Sequence, residues 1–565
     1  MDWLHTRPRT LAAILIGACA FTFALWRLLP VETDPTERLY CAALAGALAL
    51  FLATLCGRLG FGLFAVGALA GALWLANALK IAYLHEPLLA PDLRYFATTS
   101  TVDVIAHYPK LWHKTAAALL GGVLLAVTLW RLETPGRWRG RRRAQGLWSL
   151  LALLPLVAVA APQGLFREIQ AVNIWEFLEH ARRNPTSSFL YSLTRMQLSV
   201  PAYAPDAAGA FDWGAGTTAA PAQRPDIVAV LEESTLDPRQ WAACTVPACN
   251  VALFEPDAHT AAYGPLRVHT YGGATWTSEF AFLAGMPHTL FGPAGMYAPY
   301  NLAPRLRESL PRQLKALGYR TIAVYPMPRD FVRAAGAYAD YGFDEFHDAQ
   351  EMGLRWESTD LELLQQFDAI RQRARASDGR PIFFMLLTMR QHGPHDLPLD
   401  TLPPPWNAPP LPGADARLNR NLAHYLFRLH QSDAALARLR DSLFADDRPS
   451  VLVHFGDHHP SFDGLEGTLD SALPPALRAD ARNLTYYRID TNLAGAALPP
   501  REGPLDLAFL GSLVLDAAGL PKNAYFEANA RLRERCGGRF DDCPDRAVLE
   551  SWMAHAFGVL RVLGE

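Results

Sequence analysis

Five apolar runs, near 10–29, 39–56, 61–84, 115–132 and 147–162, crowd into the first 165 residues of this 565-residue chain. Each approaches the roughly 20 residues that a helix needs to cross a hydrocarbon core. Lipid leaves no partner for an unpaired backbone amide, so such runs cross as helices. The last, LWSLLALLPLVAVAAP, is the shortest and contains Pro155; a buried soluble helix is its alternative. A cleaved signal peptide is the alternative for the first, but that run is long and four more follow. Half of all residues are hydrophobic and 19% are charged, below the roughly 25% usual in soluble domains. That excess sits in this first part, and the remainder has ordinary globular composition.

The loops orient the spans by their Lys and Arg content. The N-terminus carries Arg7 and Arg9, the loop VETDPTER is acidic, and Arg58 lies in a tight turn. After the fourth run comes GRWRGRRRAQG, with Arg137, Arg139, Arg141, Arg142 and Arg143, which reads as cytoplasmic. Alternation then puts 85–114 and everything after 162 outside the cytoplasm, which requires an odd number of spans. No basic stripe is interleaved with aromatics, so a nucleic-acid partner is not expected. The spans show no charges laid out as an ion path, which argues against transport.

Cys19, Cys41 and Cys56 lie in or at the ends of spans, as small apolar residues. The others form two local pairs, CTVPAC (Cys244, Cys249) and CGGRFDDC (Cys536, Cys543). Short-range pairs suit disulfides in an oxidising compartment. A zinc site of four cysteines is the competing reading, and the long gap between the pairs disfavours it.

Residues 163–200 read as amphipathic helix, and APDAAGAFDWGAGTTAAPAQRP (204–225) as a linker. The expected division is a transmembrane bundle over 1–165, juxtamembrane helices and linker over 166–221, and an extracytoplasmic domain over 222–565. There, DIVAVL (226–231), YRTIAVYP (319–326), PIFFMLLT (381–388) and SVLVHF (450–455) are continuous apolar runs bounded by turn signals. Such runs fit strands buried on both faces of a mostly parallel sheet. LRESLPRQLKALG and LHQSDAALARLRDSL have helical spacing between them. The alternation is that of an α/β domain, whose ligands sit at the carboxyl ends of strands.

Those ends carry chemistry. EES follows the first run (Glu232, Glu233, Ser234), MPRDFVR the second (Arg329, Arg333), MRQHGPHDLP the third (His392, His395) and GDHHP the fourth (Asp457, His458, His459). Carboxylates with imidazole bind a divalent cation, and an oxygen-rich set suits Mn²⁺ or Mg²⁺ at least as well as Zn²⁺. A cation beside a threonine hydroxyl favours its alkoxide, Arg holds phosphate in a bidentate grip, and His moves a proton. These parts suit phosphoryl transfer. Each has a plainer reading, as a helix cap, a turn former or a surface charge.

The order of the motifs is more specific than any one of them. Glu-Ser after the first strand is followed by YGGATWTSEF (271–280), an Arg-bearing segment leading into YGFDEF, a His loop and Gly-Asp-His. Over roughly 222–500 this resembles the lipoteichoic acid synthase and phosphoglycerol transferase branch of the alkaline phosphatase/sulfatase superfamily. The resemblance implies five transmembrane helices followed by an α/β alkaline-phosphatase/sulfatase-like domain. It implies Thr275 as nucleophile, with Gly272 and Gly273 giving its loop a close approach and Thr277 and Ser278 holding it. It implies Glu233, Thr275, Asp457 and His458 around one divalent metal, Mn²⁺ first, with Mg²⁺ and Zn²⁺ as alternatives. His392 would act in the substrate pocket, with Arg333, His395 and His459 as further substrate-binding candidates. The family's Arg lies in a Trp-Asn-Arg stretch; here it reads DFVRAAGAY, with no Trp and one extra residue.

The implied reaction moves a phosphoglycerol head group from phosphatidylglycerol, through a phospho-threonine, to a periplasmic or cell-surface glycan at the inner membrane. A phosphoethanolamine transferase is the nearest rival; there the opening is usually Gly-Glu-Thr, and the zinc site is rich in extra histidines. An extracytoplasmic sulfatase or phosphatase is the second rival, but no Cys/Ser-x-Pro-x-Arg motif follows the first strand. A non-catalytic membrane scaffold would not need the metal-binding groups.

Overall fold

The computed structural model describes residues 8–84, 87–95, 109–134 and 180–195, Leu151 and Leu154, and residues 198–564 with gaps at 199, 222, 447, 463–464, 496–497 and 500–502. The chain divides into two units, Met1–Gln197 and Leu198–Glu565.

Four helices of the first unit are long and apolar enough to cross a membrane, over Pro8–Val31, Pro35–Cys56, Leu59–Ile81 and Thr115–Leu132. They coincide with the first four apolar runs. The fifth, 147–162, lies outside the described residues except for Leu151 and Leu154, as does 163–179 of the amphipathic stretch. The rest of that stretch contains the helix Pro185–Arg195. Small residues let the first and third spans touch backbone to backbone: a Cβ on Gly17 would lie 2.1 Å from the Gly60 carbonyl oxygen.

Polar side chains tie the ends of the bundle. Arg58 Nε donates to the Glu133 carbonyl at 3.0 Å, and the Glu133 carboxylate accepts from Gly60 N and Phe61 N at 3.0 and 2.9 Å. Elsewhere, Thr33 N donates to Asn184 Oδ1 (2.8 Å), Thr186 N to Glu32 Oε1 (2.7 Å) and Ala90 N to Ser192 Oγ (2.8 Å). Arg58 and Glu133 thus share one end of the bundle, and the segments around Glu32, Ala90 and Asn184 share another.

The second unit is built on an eight-stranded sheet. In chain order the strands are β1 Asp226–Glu232, β2 Thr260–Arg267, β3 Arg320–Val324, β4 Glu345–His347, β5 Ile382–Thr388, β6 Ser450–Gly456, β7 Leu484–Thr491 and β8 Leu505–Asp506. Their spatial order is β4-β3-β5-β1-β6-β7-β2-β8. β4, β3, β5, β1 and β6 run parallel, β7 is antiparallel to β6 and β2, and β8 is parallel to β2. The four apolar runs of the sequence are β1, β3, β5 and β6. Every residue of β1, β5 and β6 is buried, as central strands with both faces covered require.

On one face, the helices Asp360–Asp378 and Ala416–Phe444 pack against Val228, Val230, Phe384, Leu386 and Leu452. Thr359 and Glu362 cap the first of these reciprocally, and Asp415 caps the second. On the other face, Phe282 of the helix Thr275–Ala284 meets Phe455 with ring centroids 4.8 Å apart. The helix expected over LRESLPRQLKALG is shorter, Leu310–Ala316. Ser309 is its N-cap, and Pro311 is tolerated only in the first turn, so the preceding residues stay extended.

Both local cysteine pairs close on themselves, Cys244–Cys249 with Cα atoms 5.8 Å apart and Cys536–Cys543 with 4.8 Å. That removes the four-cysteine zinc alternative. The stretch read as a linker is partly folded onto the second unit. Trp213 is buried, its Nε1 donates to Ser551 Oγ at 3.1 Å, and its ring stacks on His555. Thr217 N donates to the Lys522 carbonyl at 2.6 Å. The segment is thus docked by its one buried tryptophan together with main-chain ties at Gly216 and Thr217.

Two outcomes follow from this packing. Peptide mass mapping under non-reducing conditions is expected to find Cys244–Cys249 and Cys536–Cys543 linked, with Cys19, Cys41 and Cys56 alkylated as free thiols. A Cβ added at Gly456 would fall 1.8 Å from the Thr235 carbonyl oxygen. Gly456→Ala is therefore expected to destabilise the second unit by about 1–3 kcal/mol, read as a lowered Tm in thermal scanning.

Candidate metal centre and nucleophile

β1 and β6 are hydrogen-bonded neighbours in which Glu232 pairs with Gly456. The next residue on each strand, Glu233 and Asp457, therefore leaves the sheet edge side by side. Asp457 N donates to the Glu232 carbonyl at 3.3 Å. The missing side chain at Gly456 gives the Thr235 carbonyl its room, so the turn after β1 closes tightly over the end of β6. Ser234, at φ +53°, turns the chain so that its amide donates to Asp457 Oδ1 at 2.8 Å and its hydroxyl to Glu233 Oε1 at 3.0 Å.

The loop before the helix Thr275–Ala284 turns through left-handed residues, Gly272 at φ +69° and Ala274 at +64°. The second of these costs a non-glycine residue roughly 1–2 kcal/mol. Ala274, rather than the expected Gly273, thus bears the unusual conformation. Thr277 pins it: its amide and its hydroxyl each donate to the Ala274 carbonyl at 2.8 Å. Ser278 Oγ donates to the Asp457 carbonyl at 2.9 Å. With its neighbours so engaged, Thr275 begins the helix and its Oγ1 donates to Glu233 Oε2 at 2.7 Å, 3.4 Å from His458 Nε2. His458 Nε2 in turn lies 3.2 Å from Glu233 Oε1 and 3.2 Å from Asp457 Oδ2. His458 Nδ1 is held by the His459 carbonyl at 2.8 Å, which aims Nε2 into the cluster.

Glu233, Asp457 and His458 are all buried, and one ligand atom of each lies within 4.8 Å of the others. Among the described residues, no other such group of three occurs. Asp457 Oδ2 is buried without a hydrogen-bond partner, a costly state that a cation would relieve. Two carboxylate donors and one imidazole nitrogen, beside a hydroxyl, fit a divalent ion of the Mn²⁺, Mg²⁺ or Zn²⁺ type. A proton on His458 can balance part of the same negative charge. Burial alone would lower the pKa of His458, but the adjacent Asp457 and Glu233 carboxylates outweigh it and raise it. Burial and the neighbouring Glu233 raise Asp457, while His458 overrides the burial of Glu233 and holds it low.

The remaining candidates divide. His392 is near enough to Glu233 to lower its pKa. Its Nδ1 engages the Gly393 carbonyl at 2.7 Å, its ring stands edge-on to Trp356, and its Nε2 has no partner among the described residues. His395 is not at the cluster's edge: it is buried between Tyr425 and Phe462, with Nε2 on the Gln391 carbonyl at 2.9 Å. Burial keeps its pKa far below the ordinary histidine value. His459 is likewise built in, with Nδ1 on Glu466 at 3.1 Å and Nε2 on the Leu484 carbonyl at 2.8 Å. Arg333, at φ +57°, pairs with Asp340 at 2.7 Å and donates to the Pro299 carbonyl. Arg329 is exposed.

Sequence reasoning passed over Glu279, four residues after Thr275. Burial, with Asp457 and Glu233 adding to it against a Tyr338 hydrogen bond, pushes its pKa up to about 8, so it is largely a neutral acid at pH 7. Nothing in TSEF distinguishes it from an exposed helical glutamate.

The match to known proteins falls on the same segment. Residues 225–499 match the family model described as Sulfatase. That segment, just under half of the chain, is sulfatase-like. A Haemophilus influenzae protein, described as uncharacterized, is 32% identical over 352 residues, which is 60% of this chain and 62% of that protein. The chain thus spans less than two thirds of that relative. A Rhizobium meliloti protein, described as a putative cyclic β-1,2-glucan modification protein, is 23% identical over 79% of this chain and 71% of its own. Among solved structures, the Streptococcus pyogenes phosphoglycerol transferase GacH aligns with TM-score 0.47 and 16% identity over 64% of this chain and 95% of its own. The Neisseria meningitidis phosphoethanolamine transferase EptA aligns with TM-score 0.46 and 14% identity over 86% of this chain and 96% of its own.

For this sulfatase-like domain, Asp457→Asn or His458→Gln is expected to abolish retention of a divalent metal through gel filtration, measured by elemental analysis. Retention in the unaltered protein should weaken as pH falls, because ligation requires His458 to give up a proton whose pKa is raised. Retention that is flat with pH and unchanged in both variants would contradict the ligand set.

Proposed function

We propose that the protein is a metal-dependent phosphotransferase that moves phosphoglycerol from phosphatidylglycerol to a periplasmic or cell-surface glycan through phospho-Thr275. The observation that carries this reading is the position of Thr275 Oγ1, hydrogen-bonded to Glu233 and 3.4 Å from His458 Nε2. Glu233, Asp457 and His458 would hold the metal, Mn²⁺ first. When bound, it would supply Lewis-acid stabilisation of an oxyanion and of the phosphoryl charge.

The chain's own groups account for the rest. The Thr275 proton is directed at Glu233 Oε2, which turns the lone pairs of Oγ1 away from the carboxylate. Oγ1 passes that proton to Glu233 Oε2 as it attacks phosphorus, the phosphorus–oxygen bond to diacylglycerol breaks, and the leaving oxygen takes a proton from the protonated His392 Nε2. In the second half the same nitrogen accepts the proton of the acceptor hydroxyl as that oxygen displaces Thr275, whose Oγ1 recovers its proton from Glu233.

Membrane spans keep such an enzyme beside a donor that stays in the bilayer, and the two disulfides fit an extracytoplasmic side. The glycan acceptor is supported by the Rhizobium relative described as a glucan modification protein. Phosphoglycerol is favoured over phosphoethanolamine because His395 and His459, which would enrich a zinc site, already engage main-chain carbonyls and Glu466.

Purified protein with Mn²⁺ and fluorescent phosphatidylglycerol is expected to release diacylglycerol. Thr275→Ala should cut that release by roughly 10³-fold or more, the scale seen when a nucleophile is removed. Mass spectrometry of Thr275 should show added phosphoglycerol. Undiminished release in the variant would overturn the reading, and a phosphoethanolamine adduct would reassign the head group.

A further inference from the structure

We infer that Glu466 is a positioning residue that cross-links the loop carrying Thr275 to the loop carrying Asp457 and His458. Glu466 is buried, and its two carboxylate oxygens meet three donors. Oε2 accepts a short hydrogen bond from the Tyr271 hydroxyl. Oε1 accepts from Trp241 Nε1 at 3.1 Å and meets His459 Nδ1 at 3.1 Å. Each contact lies on a segment that delivers part of the site. Tyr271 precedes Thr275 by four residues. His459 follows His458 directly, and its carbonyl fixes the imidazole that points at Glu233 and Asp457. Trp241 lies in the loop after β1, downstream of Glu233.

A buried carboxylate is an expensive way to join three loops if cohesion is all that is needed, because apolar groups of the same volume would do so without losing hydration. What it adds is direction: oxygens facing different donors fix the bearing of each loop. The Tyr271 ring is also held from a second side, with the Arg482 guanidinium 5.6 Å from its centroid. A Cβ at Gly467, beside Glu466, would come within 2.8 Å of Arg482 Nη2, so the residue after the clamp leaves that guanidinium its space.

The cross-link has two arms that separate experimentally. The nucleophile arm rests on the reading of Thr275 as the attacking group; the metal arm does not. In detergent-solubilised full-length protein, Glu466→Gln is expected to weaken Mn²⁺ binding about 3–10-fold, less than the roughly 10–100-fold of losing a direct outer partner, because Glu466 reaches the ligand His458 only through His459. Binding is read from the spin-resonance signal of free Mn²⁺, which needs no substrate. Tyr271→Phe is expected to leave Mn²⁺ binding unchanged and to lower kcat for diacylglycerol release about 10-fold or more, with KM within about twofold. The double variant should lose no more turnover than Glu466→Gln alone, since both remove one link.

Glu466→Gln with unaltered Mn²⁺ binding, Tyr271→Phe with unaltered kcat, or losses that simply multiply would each overturn the inference. If Glu466→Gln fails to fold, Tyr271→Phe decides, because it removes a single hydroxyl. If the unaltered protein releases no diacylglycerol, the phosphotransfer reading fails while the Mn²⁺ arm still judges Glu466.

Discussion

Two carboxylates are forced together by the parallel pairing of β1 and β6, and the rest of the site answers that crowding. Glu232 opposite Gly456 puts Glu233 and Asp457 at adjacent strand ends, both buried. Like charges about 4 Å apart repel by about 4 kcal/mol at an effective dielectric constant of 20. His458 Nε2, within 3.2 Å of each, offsets part of this; Ser234 N and the His458 amide donate to Asp457 Oδ1 and offset more. Asp457 Oδ2 accepts no hydrogen bond and has only the His458 imidazole beside it. The pair is electrostatically unfinished, and a divalent ion is the simplest group that completes it. Thr275 stands where such an ion would act on it.

Much of this was legible in the residues because the physics was local. β1, β3, β5 and β6 announced themselves as continuous apolar runs, since strands covered on both faces have no polar side to show. Glu233, Asp457 and His458 were singled out by the order of the motifs and the family resemblance it carries, because each loop alone also reads as a cap or a turn. β2 and β7 were not singled out: YGPLR contains Gly264 and Pro265, and LTYYRIDT mixes charge into a buried strand. Its Arg488 is tolerated because Asp490, two residues on, and Asp257 pair with it. The Asp257 half of that compensation comes from distant sequence and leaves no local mark.

The histidines show the same limit from the other side. His392, His395, His458 and His459 look alike in two short loops, yet only His458 joins the cluster and only His392 borders it. His395 and His459 are consumed by carbonyls and a glutamate that lie four to twenty-five residues away. Side-chain type shows what a residue is able to do; which partner reaches it first decides what it does. Glu466 and Glu279 illustrate the converse, since an ordinary glutamate acquires its role from the loops folded over it.

The docking of Trp213 bears on where the catalytic half can be cut free. A soluble fragment begun at 222, just before the first strand, would discard the buried indole that bonds Ser551 and stacks on His555 and would open the surface it covers to water. Such a fragment invites aggregation through the uncovered surface. An excision begun near 200 keeps the indole, so the practical border of the folded half lies about 26 residues upstream of its first strand at Asp226.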